Sequence, residues 1–508
     1  MRPPERMAAL AAALALGSCA TSALDMAPDR PDKPWTPATT AAGEPIAGAP
    51  GVSGGGAGYV LPPNPALRAL PASPEIDSAK TYTLPQLIDL AESTNPATRV
   101  AWNDARRSAL AAGVAESAYL PRVSASVVGG YQATNGSDST AGVNLAGAGS
   151  SHGAISVVSV EWLLFDFGER AAVVEAAKQA SFIADVAFTA AHQQVIYEVS
   201  LAYYRCQGAR ARFATAKQSL ANALAVEAAA EERFRRGVGT VVESDQTRQA
   251  TAQARLALVQ AEGGARDAYV AVLSAVGLSP LTTIRIADTG RRTFSPSMLK
   301  PVEGVIAAAI ARRPDIQSAY AAQKAAVAKV RATEAEFLPK VFTSATGSYN
   351  PGSLDVTALP GLGAASSTVN INNNRLGAAI LAGVTVPVYD GGTREAALKQ
   401  AEADADSAGA KFDQIRNDAV RQIVVADNAL RTGLAAVSAA SALVSASQTT
   451  FDAALAAYRN GVGSITDATI AETQLLQAKL AYADSTNAVL TAAATLALAT
   501  GALGGAPG

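Results

Sequence analysis

The sequence predicts a mixed α/β membrane protein in which one structural unit occurs twice, each copy joining short spanning β segments to very long helices. Three observations predict it. The chain repeats itself: Asn95-Pro96, Tyr119-Leu120-Pro121 and Tyr131 recur as Arg313-Pro314, Phe337-Leu338-Pro339 and Tyr349, each 218 positions later. Past a loop that is longer in the second copy, the offset becomes 224. There Asp166-Phe167-Gly168-Glu169-Arg170 answers Asp390-Gly391-Gly392-Thr393-Arg394, and the stretch from Phe234 to Thr240 answers that from Tyr458 to Ser464. Landmarks doubled in one order mean one unit used twice around a common axis. Second, each copy holds two segments that alternate with period two. Third, long windows lack proline: none occurs between Pro121 and Pro280 or between Pro387 and Pro507.

The N-terminus predicts export. Arg2 and Arg6 precede an apolar run from Met7 to Leu16, and Leu16-Gly17-Ser18-Cys19 ends it. Such a run is too short to cross a bilayer. Residues 1–18 are similar to a bacterial lipoprotein signal, whose cysteine, here Cys19, becomes the acylated first residue. The residue after that cysteine helps set the destination, and Ala20 in place of aspartate fits the outer membrane. Residues 19–80, rich in Pro, Gly and Ala, predict a lipidated tether. Its run Gly51-Val52-Ser53-Gly54-Gly55-Gly56 neither follows a strand nor opens a helix, so it is no phosphate loop. With Cys19 acylated, Cys206 has no disulfide partner and is expected as a packed small hydrophobe. A net charge of -2 without a dense basic run argues against nucleic acid.

The first repeat is expected over 81–280 and the second over 301–503, with a linker at 281–300 and a tail at 504–508. Each opens with a short helix, Leu84 to Ser93 or Val302 to Arg312. Pro96 and Pro314 sit in the first turn of a second helix, which runs to Leu120 or Leu338 and stops at the next proline. The period then changes to two, over about 122–131, 154–164, 340–349 and 376–389. The apolar sets are Val123, Ala125, Val127, Tyr131; Ala154, Val158, Val160, Trp162; Val341, Ala345, Tyr349; and Leu376, Ile380, Val384, Val388. A tilted spanning strand needs about 9–11 residues. The joining segments Gln132 to Gly153 and Asn350 to Arg375 are rich in Gly, Ser and Asn, as external loops tend to be. A half-buried hairpin in a soluble sandwich shows the same alternation. Four strands cannot close a barrel, and open edges are not tolerated in hydrocarbon. If these strands span, several chains must share one barrel.

The remainder reads as helix. Phe412, Ile415, Ala419, Ile423, Ala426 and Leu430 step by three and four, and Phe188, Ala191, Val195, Val199, Ala202 and Cys206 do the same in the first copy. A helix from Arg170 to Arg235 would extend about 100 Å, before the Arg236-Gly237-Val238-Gly239 turn reverses the chain toward Gly277. Helices of that length form a rod or tube.

The repeat resembles the TolC-like outer-membrane efflux protein family. The resemblance lies in Asn95-Pro96 and Arg312-Arg313-Pro314-Asp315, the Tyr119-Leu120-Pro121 and Phe337-Leu338-Pro339 entries, the Tyr389-Asp390-Gly391-Gly392 exit and the Gly-Val-Gly-Thr/Ser turns, and covers about Thr81 to Leu503. It implies a homotrimer whose four strands per chain complete a twelve-stranded β-barrel in the outer-membrane lipid, continued by a coiled-coil α-helical periplasmic tunnel. It also implies docking of the helix tips onto a periplasmic membrane-fusion adaptor, coupled to an inner-membrane pump. The tip residues would be Arg235, Gly237, Val238, Gly239 and Thr240, with Arg459, Gly461, Val462, Gly463 and Ser464. Relatives close the tunnel with acidic rings just past the turn, and Glu243 and Asp467 hold those places. Three residues on, Gln246 and Ile470 stand where relatives carry another acid. Equally, those carboxylates are exposed helix acids, or partners of Arg235, Arg236 and Arg459.

No enzyme is expected and no cofactor. His152 and His192 lack metal-ligand spacing, and no Gly-x-Ser-x-Gly, Walker or HExxH pattern occurs. A non-conducting periplasmic coiled-coil scaffold accounts for the helices but not for four alternating segments at matched positions. The expected function is the passive exit duct of a tripartite efflux system. The lipoprotein start resembles the drug and toxic-compound branch; metal-ion efflux and type I protein secretion are the alternatives.

Overall fold

The computed structural model describes residues 22–53, 58–68, 76–140, 143–288, 302–351 and 376–504, with backbone alone over most of 132–151. The signal segment 1–18 and Cys19 lie outside the described residues. The chain divides into a unit at Met1–Glu75 and a unit at Ile76–Gly508.

In the first unit, β1 (Trp35–Thr36) pairs antiparallel with β2 (Val52–Ser53). Trp35 lies against Gly51, where any Cβ would collide with the indole. Thr40 and Glu44 close a turn, the Thr40 amide donating to the Glu44 carbonyl at 2.8 Å. The Gly- and Pro-rich composition that predicts a slack tether therefore also makes tight local turns.

In the second unit, β3 (Thr81–Tyr82) leads to α1 (Leu84–Thr94), which Thr83 and Gln86 cap reciprocally. α2 (Pro96–Glu116) starts where the Asn95 side chain accepts the Ala97 amide at 2.9 Å. It ends before the expected Leu120, in a tighter turn over Ser117–Tyr119. Then come β4 (Arg122–Thr140), β5 (Val143–Phe165), α3 (Glu169–Arg235) and α4 (Val241–Val276). β6 (Arg285–Ile286) pairs in parallel with β3, so the start of the segment expected as a linker is structured. Tyr203, Gln207 and Arg210 bind its carbonyls at Ala287 and Ile286. The second copy repeats the order with α5 (Val302–Ile310), α6 (Pro314–Ala335), β7 (Lys340–Tyr349), β8 (Leu376–Thr385), α7 (Thr393–Arg459) and α8 (Ile465–Ala499). α6 likewise stops short of Leu338.

α3 and α7 have 67 residues each, about 100 Å at the helical rise. Most of each predicted seam is buried or half-buried, with Val195, Val199, Ala202 and Cys206 buried in α3, and Ala419, Ile423 and Ala426 in α7. Small residues at these positions let long helices approach closely, which explains the alanine-rich composition. Burial raises the Cys206 thiol above its ordinary range, as an inert packed group requires.

The sheet order is β4-β5-β7-β8, with all neighbours antiparallel. Rows such as Val123–Val160–Ala345–Ile380 and Ala125–Val158–Gly347–Ala378 run across it. The four alternating apolar sets thus share one face, and it is uncovered: Val127 is 72% exposed and Ile380 82%. The other face carries Arg122, Glu161 and Ser344 in one row, and a Ser124–Ser159 hydroxyl bond of 2.7 Å. Strands β4 and β8 form the two open edges.

The structure corrects two expected boundaries. The first hairpin runs well past the alternating segments, its backbone pairs continuing to Thr140 opposite Val143, so most of Gln132 to Gly153 is strand. The ladder needs only backbone groups, which Gly and Ser supply without an apolar pattern. Conversely, β8 ends at Thr385 and not at Tyr389. Its partner β7 begins at Lys340, opposite Thr385, so among the described residues Val386 to Tyr389 have no paired strand. Residues 352–375 of the second joining segment lie outside the described residues.

Candidate functional site

Two features carry the matched motifs: the corners where sheet becomes helix, and the far tips of the helical hairpins. At the first corner Asp166 accepts from the Gly168 amide, the Arg170 amide at 2.9 Å and Arg170 Nε at 2.7 Å. Arg170 also donates to the Leu163 carbonyl at 2.6 Å and the Ala118 carbonyl at 3.1 Å, and lies over the Tyr119 ring. The second corner repeats the core of this. Asp390 accepts from the Gly392 and Arg394 amides and from Arg394 Nε at 2.8 Å, and Arg394 lies over Phe337. Burial alone would raise both carboxyls, but hydrogen bonds to their charged forms, together with the arginine charge, outweigh it and hold both below the usual range.

Each tip is a helix end of the same design. The Val238 and Gly239 amides donate to the Arg233 carbonyl, as Val462 and Gly463 do to that of Ala457. Gly237 and Gly461 have φ of 76° and 79°, where a side chain is strained. At Gly239 a Cβ would come within 2.9 Å of the Phe234 amide nitrogen. Thr240 then caps α4, accepting the Glu243 amide at 3.2 Å while its own amide donates back to Glu243. Ser464 caps α8 by accepting the Asp467 amide at 3.1 Å, and its hydroxyl donates to the Asp467 carboxylate at 2.8 Å. Val238 and Val462 project as exposed apolar residues at the two turns.

Glu243 and Asp467 are thus, first of all, third-position capping acids. The threonine or serine three residues before each is a sequence signal that the alternation reading passed over. Arg235 and Arg236 do not pair with Glu243; both pair with Glu232 on their own helix.

The structure adds two residues that sequence reasoning missed. Arg233 donates to the Tyr458 carbonyl at 3.2 Å and lies 5.0 Å over its ring, and the Tyr458 hydroxyl donates to Glu243 at 3.4 Å. Burial, followed by the Glu243 charge, keeps the Tyr458 phenol protonated above its ordinary range, against the opposing Arg233 charge. The side chains of α3, α4 and α7 therefore meet at one point and tie the two tips together. Offset 224 sets Arg233 against Ala457 and Phe234 against Tyr458, and this mismatch between copies was the available signal. Among the described residues no cluster of three or more metal-ligating side chains gathers.

The doubled sheet-and-long-helix unit, with its matched corners and paired tips, is one build used twice in the chain. The outer membrane efflux protein family matches residues 87–278 and 305–502, and the chain belongs to it. It is 28% identical over 450 residues to Protein CyaE of Bordetella pertussis, covering 85% of this chain and 87% of that protein. It is 27% identical over 380 residues to Outer membrane protein OprJ of Pseudomonas aeruginosa, covering 75% of each. Among solved structures it resembles the outer membrane protein VceC of Vibrio cholerae, with a TM-score of 0.69 and 20% identity over 82% of this chain and 96% of that one. Members of this family are transport ducts, not enzymes.

Proposed function

We propose that the protein is the outer-membrane exit duct of a tripartite efflux system, a homotrimer whose pooled strands close a twelve-stranded barrel above a helical periplasmic tunnel. The observation that carries this is the four-stranded sheet with one apolar face and both edges uncovered. In hydrocarbon, unpaired edges cost several kcal/mol per group, so only closure satisfies them. The edge strands β4 and β8 run in opposite directions, so copies joined head to tail keep the antiparallel alternation around a ring. The apolar face between Val123 and Tyr131, repeated between Val341 and Tyr349, is about as long as a tilted spanning strand. The α7 helix adds weight: its most apolar 18-residue window is only 22% buried within one chain.

Cys19 supplies a lipid anchor in the outer membrane. The exposed tips, Arg235 to Thr240 and Arg459 to Ser464, receive the periplasmic adaptor, which couples the duct to an inner-membrane pump. Glu243 and Asp467 ring the closed end, and opening parts the Arg233–Tyr458–Glu243 contact as the tips spread. The cargo is toxic organic compounds or drugs, by the lipoprotein start. Substituting Gly237→Val and Gly461→Val forces side chains into positive φ and is expected to abolish adaptor crosslinking while oligomers persist. Survival of both crosslinking and export would show the tip assignment to be wrong. In cells lacking their own ducts, the protein is expected to restore tolerance to organic toxicants. Restored tolerance to metal salts alone would select the metal-duct alternative.

A further inference from the structure

We propose that the cleft between α3 and α8 binds a small organic anion, an aromatic carboxylate that also carries a hydroxyl donor. The cleft has a volume of about 450 Å³, within the range of small-molecule sites. The exit-duct reading stands whatever this cleft binds.

The charge that lines the cleft is unbalanced. Arg210 and Lys479 supply two cations against one acid, Asp288. Asp288 stands 3.6 Å from Arg210 with its side chain 84% exposed, so water competes for that pair. Arg210 also donates to the Ile286 carbonyl at 3.0 Å, which holds the guanidinium at the cleft. Among the described residues Lys479 has no ion pair, and the next acid along α8, Asp484, is held by Arg212 at 2.7 Å. A carboxylate entering here gains charge-assisted hydrogen bonds that the chain itself leaves unmade.

Asn487 sets a second requirement. Its Oδ1 is buried and, among the described residues, receives no hydrogen bond. The side chain lies over Gly208, where a Cβ would come 3.1 Å from it. A buried acceptor left unpaired is costly, and a hydroxyl on the ligand removes that cost. Tyr204 and Tyr482 line the same cleft and offer aromatic surface to the ligand's ring.

The duplication does not demand these residues. At the offset of 224, Gly208, Arg210 and Asn487 correspond to Thr432, Leu434 and Gly263. Lys479 alone keeps its charge, as Arg255. A packing requirement of the repeat would act on both copies, whereas this set occurs once.

The probe is 4-hydroxybenzoate, titrated calorimetrically into the full-length oligomer in detergent at neutral pH, with detergent alone as the blank. Benzoate lacks the donor, and methyl 4-hydroxybenzoate lacks the charge. One saturable site per chain is expected for 4-hydroxybenzoate, with the other two each at least about tenfold weaker. Lys479→Gln is expected to weaken 4-hydroxybenzoate about tenfold and to leave the ester unchanged. Asn487→Leu is expected to lower 4-hydroxybenzoate to the affinity of benzoate and to leave benzoate unchanged. Native mass and an unaltered thermal midpoint verify that the variants fold. No saturable binding of 4-hydroxybenzoate by the parent would overturn the site. Equal affinities of the parent for the acid and its ester, or for 4-hydroxybenzoate and benzoate, would overturn the assigned ligand class without any variant.

Discussion

The two corners where sheet becomes helix share their residues but not their finish. At the first, Asp166 and Arg170 are almost wholly buried, Arg170 reaches the carbonyls of Ala118 and Leu163, and β5 continues to Phe165. At the second, Asp390 and Arg394 make the same turn, but Asp390 is a third exposed and β8 has already ended. Local sequence accounts for the shared part, since a carboxylate collecting two amides and a guanidinium fixes the turn wherever it occurs. Position in the sheet accounts for the difference. The first corner lies between two strands of its own chain, and the second lies at an open edge.

Removing each arginine in turn separates the two corners most. Arg170→Ala leaves Asp166 buried without its cation and the Ala118, Leu163 and Leu164 carbonyls without that donor, and is expected to cost about 3 kcal/mol. Arg394→Ala is expected to lower the thermal midpoint less in isolated chains, and comparably to Arg170→Ala once copies have assembled. Thermal unfolding of dissociated and oligomeric protein reads both; equal shifts in dissociated chains would remove the contrast.

Acid acts on the buried carboxylate of the first corner. The folded Asp166 carboxyl lies below its unfolded value of about 3.9. Its contribution is therefore present above about pH 4 and is lost as pH falls through the lowered folded value. The stability gap between the parent and Asp166→Asn should stay constant from neutral pH to about pH 5, then narrow below about pH 4. A gap that does not narrow in acid would mean that this carboxylate does not hold the corner.

The smallest effect tests the turn itself. Phe167 has φ of 52°, the only positive value outside glycine among the described residues, and its counterpart Gly391 has 74°. The first corner thus tolerates a side chain in the left-handed region, packed edge-on against Phe165 at 4.7 Å. Gly391→Ala, with no such neighbour, is expected to cost about 1 kcal/mol. No loss of stability on that substitution would show the second corner to be more pliant than the first.

Much of this was legible in the sequence because the pattern that predicts an element was also what holds it. The alternating sets around Val127 and Ile380 share a sheet face because period two survives any correct register. The prolines at Pro96 and Pro314 start helices because they lack the amide that a first turn leaves unused. The seam around Val199 and Ile423 is buried because its spacing follows the helix. The rest depended on partners that the sequence does not set side by side. The first hairpin outruns its apolar pattern through backbone pairing alone, and β8 stops early because its neighbour does. At the tips the glycines stood out, but the Arg233–Tyr458–Glu243 contact joins three helices through residues that the two copies do not share, so repetition could not reveal it. Glu243 and Asp467 drew notice as gate acids although each also caps its helix, a role written in the threonine or serine three positions earlier.

A spanning sheet with two open edges requires chains that complete one another's sheets. The mass and single-channel conductance of purified protein reconstituted in lipid test this most directly. A trimeric mass with a steady ion-conducting state is predicted; a monomer that passes no ions would contradict it.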